Sequence, residues 1–423
     1  MSSLRPYSVL AGKAVRYIAR LRGGGSALPG LFVEKIDASF VRDTLGQLPH
    51  GVVLVSGTNG KTTTTKMVVE LLESQGLKVF TNRTGSNFSR GVAAALLGEV
   101  NARGRLKADI AVLELDEAHA VHFVDQVPPR FSLLLNVMRD QLDRFGEIDT
   151  TAGMLAHIAR ATTGTVVVNR EDSRLLRVAK ELKTDVRFFG LDEKLRTMFP
   201  GDDELHGADG TRVKLPQADV VLSELGDKAT FTIGGKTVTT ALKLQGVYNV
   251  YNAAAALTLA RAVVGDSLDQ QKLIGRLAEV TPAFGRGERL IVGGQPCELV
   301  LVKNPGGFRL SLDSFDPHGY ATMIAINDNY ADGRDMSWLW DVDFDSLQGG
   351  GVKQVGGIRA YDMALRLQYD DVPVGHVDTD LTKALRQFLA NNAAVPKRIY
   401  CTYTAMLALR RDLGKLTDVE DVR

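Results

Sequence analysis

Residues 52–65 read Val-Val-Leu-Val-Ser-Gly-Thr-Asn-Gly-Lys-Thr-Thr-Thr-Thr. This order leaves few choices: an apolar strand, a glycine-rich turn and the start of a helix. Gly57 and Gly60 let the backbone turn tightly, so that successive N–H groups can face one anion. Lys61 is long enough to reach β- and γ-phosphates, and the Thr62 hydroxyl can join a Mg²⁺ shell. A helix from about Thr63 adds its positive N-terminal end. Gly57, Thr58, Asn59, Gly60, Lys61, Thr62 and Thr63 are therefore assigned to binding ATP or a similar triphosphate.

Around this motif, apolar runs alternate with helical ones. Val52–Val55 precedes a helix to about Gln75, Lys78–Thr81 is a second strand, and helical Val92–Glu99 leads to the strand Ile110–Leu115. Phe131–Asn136 and Val166–Asn169 continue the series. That is the βαβ rhythm of a doubly wound parallel sheet. Between Phe188 and Thr240, short runs separated by Asp/Gly turns (Asp219–Leu222, Ala229–Ile233, Thr237–Thr240) suggest an antiparallel insertion or an edge sheet. Helix returns over Asn249–Val264. Gly285, Gly287, Gly293 and Gly294 bracket a linker near residues 285–294, and Glu298–Lys303, Ala321–Asn327 and Arg398–Tyr403 are strands of a second α/β domain.

Five further stretches carry chemistry. Strand Ile110–Leu115 runs into Glu114-Leu115-Asp116-Glu117, and a carboxylate at a strand end beside a phosphate loop can hold Mg²⁺. Strand alternation makes Glu114 and Asp116 the better pair. Asn136 to Glu147 follows another strand end, with Asn136 and Asp140 facing the nucleotide in the preferred reading. Asn249 and Asn252 open the Ala-rich helix, where an asparagine can cap the helix or pair with an adenine edge. Arg286, at the linker, can reach phosphate oxygens. Finally, Asp328–Asp341 follows the apolar run Met323–Ile326 and contains both tryptophans of the chain. Acidic groups among aromatics on such a loop suit a site or a partner surface, the alternative being tryptophans tucked into the core.

Composition narrows the class. Lys and Arg number 51 against 50 Asp and Glu, so bulk charge does not select nucleic acid. The two cysteines, Cys297 and Cys401, exclude a disulfide framework or four-cysteine zinc site and suit a reducing cytoplasm. No run approaches the roughly 20 apolar residues of a membrane span. From Arg5 to Arg22 the chain is basic and amphipathic. Val9, Leu10, Ala14, Ile18 and Leu21 share one helix face, either packed on the body or drawn to an anionic membrane surface.

With these residues in place the chain resembles the Mur ligase superfamily. The resemblance is carried by Gly57-Thr58-Asn59-Gly60-Lys61-Thr62-Thr63-Thr64, Glu114 on a strand end, the Asn136…Asp140 loop, the Tyr-Asn…Asn-Ala-Ala helix start and the Gly-Arg-x-Glu stretch. Within it, Gly24–Gly30, Arg139–Glu147 and Asp332-Gly-Arg-Asp-Met-Ser-Trp338 are similar to the MurT family, the ligase subunits of lipid II isoglutaminyl synthases.

The resemblance implies a central Mur ligase-like P-loop ATPase domain with a parallel sheet and a C-terminal Rossmann-like α/β domain. The boundaries expected are 1–45 for an N-terminal segment packing on the ATPase domain, 46–285 for that domain with its 188–240 insertion, and 290–423 for the C-terminal domain. It implies ATP and Mg²⁺ as cofactors, Thr62 and Glu114 as metal ligands, and Asn249, Asn252 and Arg286 as further ATP contacts. It implies a GatD-type glutaminase partner touching the C-terminal domain, lipid II as substrate and a cytoplasmic protein, peripheral at the inner membrane face. An Asp of the C-terminal domain would complete the glutaminase triad. Asp335 is chosen among the aromatics, with Asp332 and Asp341 open because spacing does not separate them.

Three departures from the wider superfamily are visible. Some 50 residues precede the phosphate loop, too few for a separate UDP-sugar domain. Leu155 stands where many relatives carry a carbamylated lysine. The 188–240 insertion contains no cysteine, so no zinc ribbon is expected. A stand-alone amino-acid ligase like folylpolyglutamate synthase is the rival enzyme reading, and a nucleotide-binding scaffold subunit the rival from another class.

Overall fold

The computed structural model describes residues 5–21, 28–82, 89–138, 148–199, 214–244, 246–281 and 286–419, and divides into two compact units. The first unit is built on a nine-stranded sheet in the order β2-β3-β1-β4-β5-β6-β7-β8-β9. Its strands are β1 (Val52–Ser56), β2 (Val79–Thr81), β3 (Ile110–Glu114), β4 (Phe131–Leu134), β5 (Thr165–Asn169), β6 (Asp185–Leu191), β7 (Val220–Glu224), β8 (Ala229–Ile233) and β9 (Lys236–Thr240). Pairing is parallel from β2 through to β7 and antiparallel for the last two.

Strand β1 is buried along its whole length because β3 and β4 flank it on either side. The chain moves from β1 outward to β2 and β3, then crosses to β4 on the opposite side. That reversal opens a crevice at the C-terminal ends of β1, β3 and β4.

The helices follow from pattern and caps. After α1 (Arg5–Leu21), α2 (Leu28–Ile36) and α3 (Phe40–Leu45), α4 (Lys61–Ser74) buries Met67, Val68, Leu71 and Leu72. Next come α5 (Ser89–Glu99), α6 (Glu117–Gln126), α7 (Ile148–Ala161), α8 (Ser173–Glu181), α9 (Val247–Val264) and α10 (Gln270–Glu279). Helix α9 is buried from Val250 to Ala260, where the alanine run gives a thin rod that packs closely. Asp172 caps α8 by accepting from the Arg174 and Leu175 amides, and Asp269 caps α10 through Lys272.

The second unit carries a six-stranded sheet ordered β10-β11-β15-β12-β13-β14. Its strands are β10 (Arg286–Val292), β11 (Gln295–Leu301), β12 (Ala321–Ala325), β13 (Val352–Gly356), β14 (Val374–Asp378) and β15 (Lys397–Cys401). All but β10 pair in parallel. Helices α11 (Pro305–Ser314), α12 (Ala360–Tyr369), α13 (Leu381–Asn391) and α14 (Tyr403–Leu413) complete it. One core layer centres on Phe308, in ring contact with Trp338, Phe344 and Tyr400. The other joins Cys297, Met323 and Ile399 to Phe388 and Met406. Among the described residues no helix is long and apolar enough to cross a membrane.

Several expectations need correction. Residues 286–294 are no linker. They form β10 and a two-residue turn into β11, with Gly293 and Gly294 at φ 58° and 77°, as a type I′ hairpin requires. The edge reading of residues 188–240 holds, by contrast: β7, β8 and β9 extend the main sheet as its edge, with antiparallel pairing at β8 and β9. Helix α9 begins at Val247, so Asn249 stands inside its first turn and is not its cap. The single apolar face read for α1 splits, since Val9 is buried with Ser8 and Gly12 while Leu10 and Ala14 face outward. Residues 139–147, 22–27 and 282–285, which include Asp140, lie outside the described residues.

Candidate active site

The site sits in the crevice at the ends of β1, β3 and β4. After Ser56 the backbone turns through Gly57 (φ 132°), and Gly60 (φ 87°) starts α4 from a left-handed conformation. The Thr64 amide and hydroxyl both donate to the Gly60 carbonyl, at 3.0 and 2.8 Å, fixing the first turn of the helix. Two asparagines frame the loop. The Asn136 side chain accepts from the Asn59 amide at 2.9 Å and donates to the Asn59 carbonyl at 3.0 Å, while its own carbonyl accepts from the Thr58 amide. Asn252, buried on α9, lies so close that a Cβ on Gly60 would come within 2.5 Å of its Nδ2.

Lys61 is buried and folds back over the loop. Its ammonium donates to the Gly57 carbonyl at 2.5 Å and to both Glu117 carboxylate oxygens at 3.2 and 3.3 Å. The pair holds a charged amine above the turn without leaving either charge uncompensated. Thr62, one residue on, donates to Glu114 Oε1 at 2.8 Å. Glu114 is in turn held through its backbone, whose N–H donates to Asn82 and whose carbonyl accepts from Asn82. A carboxylate and a hydroxyl converging beside a phosphate-sized turn form an all-oxygen donor set, which suits Mg²⁺.

The structure thus brings together Gly57, Thr58, Asn59, Gly60, Lys61, Thr62, Thr63, Glu114 and Asn252, with Asn136. Asp116 does not join Glu114 as strand alternation suggests, because β3 ends at Glu114 and Asp116 is the residue before α6. Glu117, in the first turn of that helix, turns to Lys61 instead. Asn249 occupies the α9 turn before Asn252, and Arg286 opens β10 in the second unit. Leu155 is fully buried in α7.

The sequence reading gave Glu117 no role of its own, and Asn82 and Asp172 escaped it. Asp172 is half-buried and accepts from the Val137 amide at 2.7 Å, steadying the segment that presents Asn136. Burial raises its carboxyl, while the amides of Leu175, Val137 and Arg174 pull it down. Only the Asp172-Ser173 capping pattern before a helix hinted at it.

The second unit presents its own polar cluster at the ends of β12 and β15. Asp332 is buried. It accepts from the Thr404 amide at 2.7 Å, the Thr404 hydroxyl at 2.6 Å and the Asn329 amide at 3.1 Å. Its carboxylate is engaged in tying the loop to α14. Asp335 is only half-buried, and the hydroxyl and amide of Ser337 hold its carboxyl below the ordinary range. Asp341 is exposed. The tryptophans divide: Trp338 is core, whereas Trp340 is half-exposed, edge-on to Tyr369 at 5.1 Å.

Residues 55–260 match the Mur ligase middle domain and residues 301–406 the MurT ligase C-terminal domain. The MurT subunit of lipid II isoglutaminyl synthase (glutamine-hydrolyzing) from Streptococcus pneumoniae is 30% identical, covering 96% of both chains, and that of Staphylococcus aureus strain COL is 28% identical over the same shares. Among solved structures, a pseudomurein peptide ligase type C from Methanothermus fervidus superposes with TM-score 0.69 at 16% identity, covering 90% of this chain and 81% of that one. MurF from Thermotoga maritima, solved in complex with ADP, gives TM-score 0.68 at 18% identity, with coverages of 91% and 83%. These last two likenesses concern the fold. Given the near full-length similarity and the phosphate site just described, the chain belongs to the MurT family of the Mur ligases.

Proposed function

We propose that this chain is the ATP-dependent ligase subunit of a lipid II isoglutaminyl synthase, converting the α-carboxylate of D-glutamate in the stem peptide to an amide. The observation that carries this reading is Lys61 seated over the Gly57–Gly60 turn, on a chain similar from end to end to MurT subunits. The loop amides and Lys61 bind and orient the triphosphate of ATP. A carboxylate oxygen of the substrate attacks the γ-phosphorus, and the bond to the ADP oxygen breaks. Ammonia then attacks the carbonyl carbon of the acyl phosphate, phosphate leaves, and the nitrogen loses a proton. Alignment and charge neutralisation supply most of the rate. Exclusion of water protects the acyl phosphate from hydrolysis.

Thr62 and Glu114 are the residues that would hold Mg²⁺, which when bound neutralises phosphate charge. Asn249 and Asn252 serve the nucleotide, with the Asn252 contact at Gly60 in support. Arg286 is assigned to phosphate oxygens. The nitrogen comes from a GatD-type glutaminase bound to the C-terminal unit, and Asp335 completes its Cys–His pair. Of the three candidates, Asp335 is preferred to Asp332, which is buried and occupied by Thr404, and its lowered carboxyl supports the choice, while Asp341 stays open as the exposed alternative. The protein works at the cytoplasmic membrane face, where lipid II is held.

The test is amidation of lipid II by the purified chain with ATP, glutamine and a GatD-type glutaminase. With no ammonium added, amide formed only when all four are present supports the proposal. Amidation without any glutaminase or added ammonium, or ATP binding with no amide under any supply of nitrogen, refutes it.

A further inference from the structure

Helices α1 and α2 lie side by side on α5, and both approach it through glycine. A Cβ on Gly12 would meet Leu97 at 2.9 Å and Val33 at 3.0 Å, and one on Gly30 would meet the Arg90 carbonyl at 2.0 Å. These contacts define the inner side of each helix. On α1, Tyr7, Leu10 and Tyr17 recur at helical spacing on the opposite side. They are 73%, 55% and 66% exposed. On α2, Leu28, Phe32 and Ile36 recur every fourth residue and are likewise exposed, while Gly30 and Val33 turn inward. Both stripes lie on the sides of their helices opposite these contacts, exposed to solvent.

Charge accompanies this apolar surface. The two helices contain Arg5, Lys13, Arg16, Arg20 and Lys35 against the single acid Glu34. The whole chain carries only +1, so the residues outside these helices sum to −3. Net positive charge is therefore concentrated on these two helices, with Lys35 exposed, the Lys13 ammonium turned to the Val100 carbonyl at 2.6 Å and the Arg16 guanidinium beside Gly98 of α5. Exposed tyrosines suit the interface between hydrocarbon and headgroups, and cations on the same helices suit an anionic surface.

We infer that the outer face of α1 and α2 is a membrane-contact surface, seating Tyr7, Leu10, Tyr17, Leu28, Phe32 and Ile36 among the headgroups of an anionic bilayer. Its purpose rests on the lipid-linked substrate proposed above. Its test does not, because phospholipid vesicles contain no such substrate, so failure of one reading leaves the other standing.

The experiment is cosedimentation of the full chain with vesicles of phosphatidylglycerol or of phosphatidylcholine. Binding to phosphatidylglycerol should exceed binding to phosphatidylcholine and weaken as salt rises. Leu10→Glu with Phe32→Glu should reduce binding about tenfold or more, and Lys35→Ala about fivefold, the value of roughly one surface cation. All three positions are exposed, so thermal unfolding and ATP binding should match the unsubstituted chain. No binding to phosphatidylglycerol, or equal binding by the double variant, overturns the inference. So does a concentration-dependent dimer in sedimentation velocity that the double variant abolishes, because the surface would then belong to a second copy of the chain.

Discussion

Lys61 and Glu117, 56 positions apart in sequence, form a buried ion pair in which one ammonium hydrogen-bonds both carboxylate oxygens. The protein itself thereby positions the lysine proposed to serve the nucleotide. Lys61→Met should abolish amidation with glutamine and with ammonium alike. It also strands a buried carboxylate, so unfolding should show a loss of about 3 kcal/mol. Adding Glu117→Leu should recover most of the stability and none of the activity. If the double variant is no more stable than the single one, the pair is not what Lys61→Met breaks.

Gly60 combines a left-handed backbone with the close approach of Asn252. Gly60→Ala should cost about 1–2 kcal/mol from backbone strain alone and should weaken ATP binding more than tenfold by displacing the loop. Asn252→Ala in the same chain relieves the contact but not the strain. Thermal unfolding should therefore recover only part of the lost stability.

Asp172 acts at one remove. Asp172→Ala should lose its cap on α8, about 1–2 kcal/mol, together with the bond to Val137 beside Asn136. Steady-state kinetics should show KM for ATP rising several-fold with a smaller change in kcat. A purely structural role would lower stability and leave KM unmoved.

The two aspartates of the second unit should separate by nitrogen source. Asp335→Asn should abolish glutamine-dependent amidation and spare amidation by ammonium. If glutamine use survives, Asp335 is not the residue lent to the glutaminase.

Asp332 should show itself through pH. Burial raises its carboxyl above the ordinary range, and the Thr404 donors oppose the shift. The folded chain therefore keeps a proton that the unfolded chain releases. That contribution to stability is complete below the ordinary carboxylate range and is lost as pH rises through the folded value. In urea unfolding, the stability advantage of the unsubstituted chain over Asp332→Ala should shrink as pH rises across that interval. An advantage that grows with pH would contradict the direction given.

The phosphate loop, the parallel strands and the family were legible in sequence because each is local. A strand, two glycines and Lys-Thr within a dozen residues impose their own geometry, and apolar runs declare buried strands wherever they end up. Gly293-Gly294 read as a linker, and only the pairing of β10 with β11 shows it to be a hairpin turn. Other features depend on where chain segments meet. Whether Asp116 or Glu117 turns to the loop depends on β3 ending at Glu114. Whether Asn252 touches Gly60 depends on how α9 packs. That Asp332 is consumed by Thr404, 72 residues away, while Asp335 stays accessible is decided by β15 lying beside β12. Local sequence sets backbone conformation and residue chemistry. Burial and the partners of a charge are set by long-range packing, and only the tertiary structure decides them.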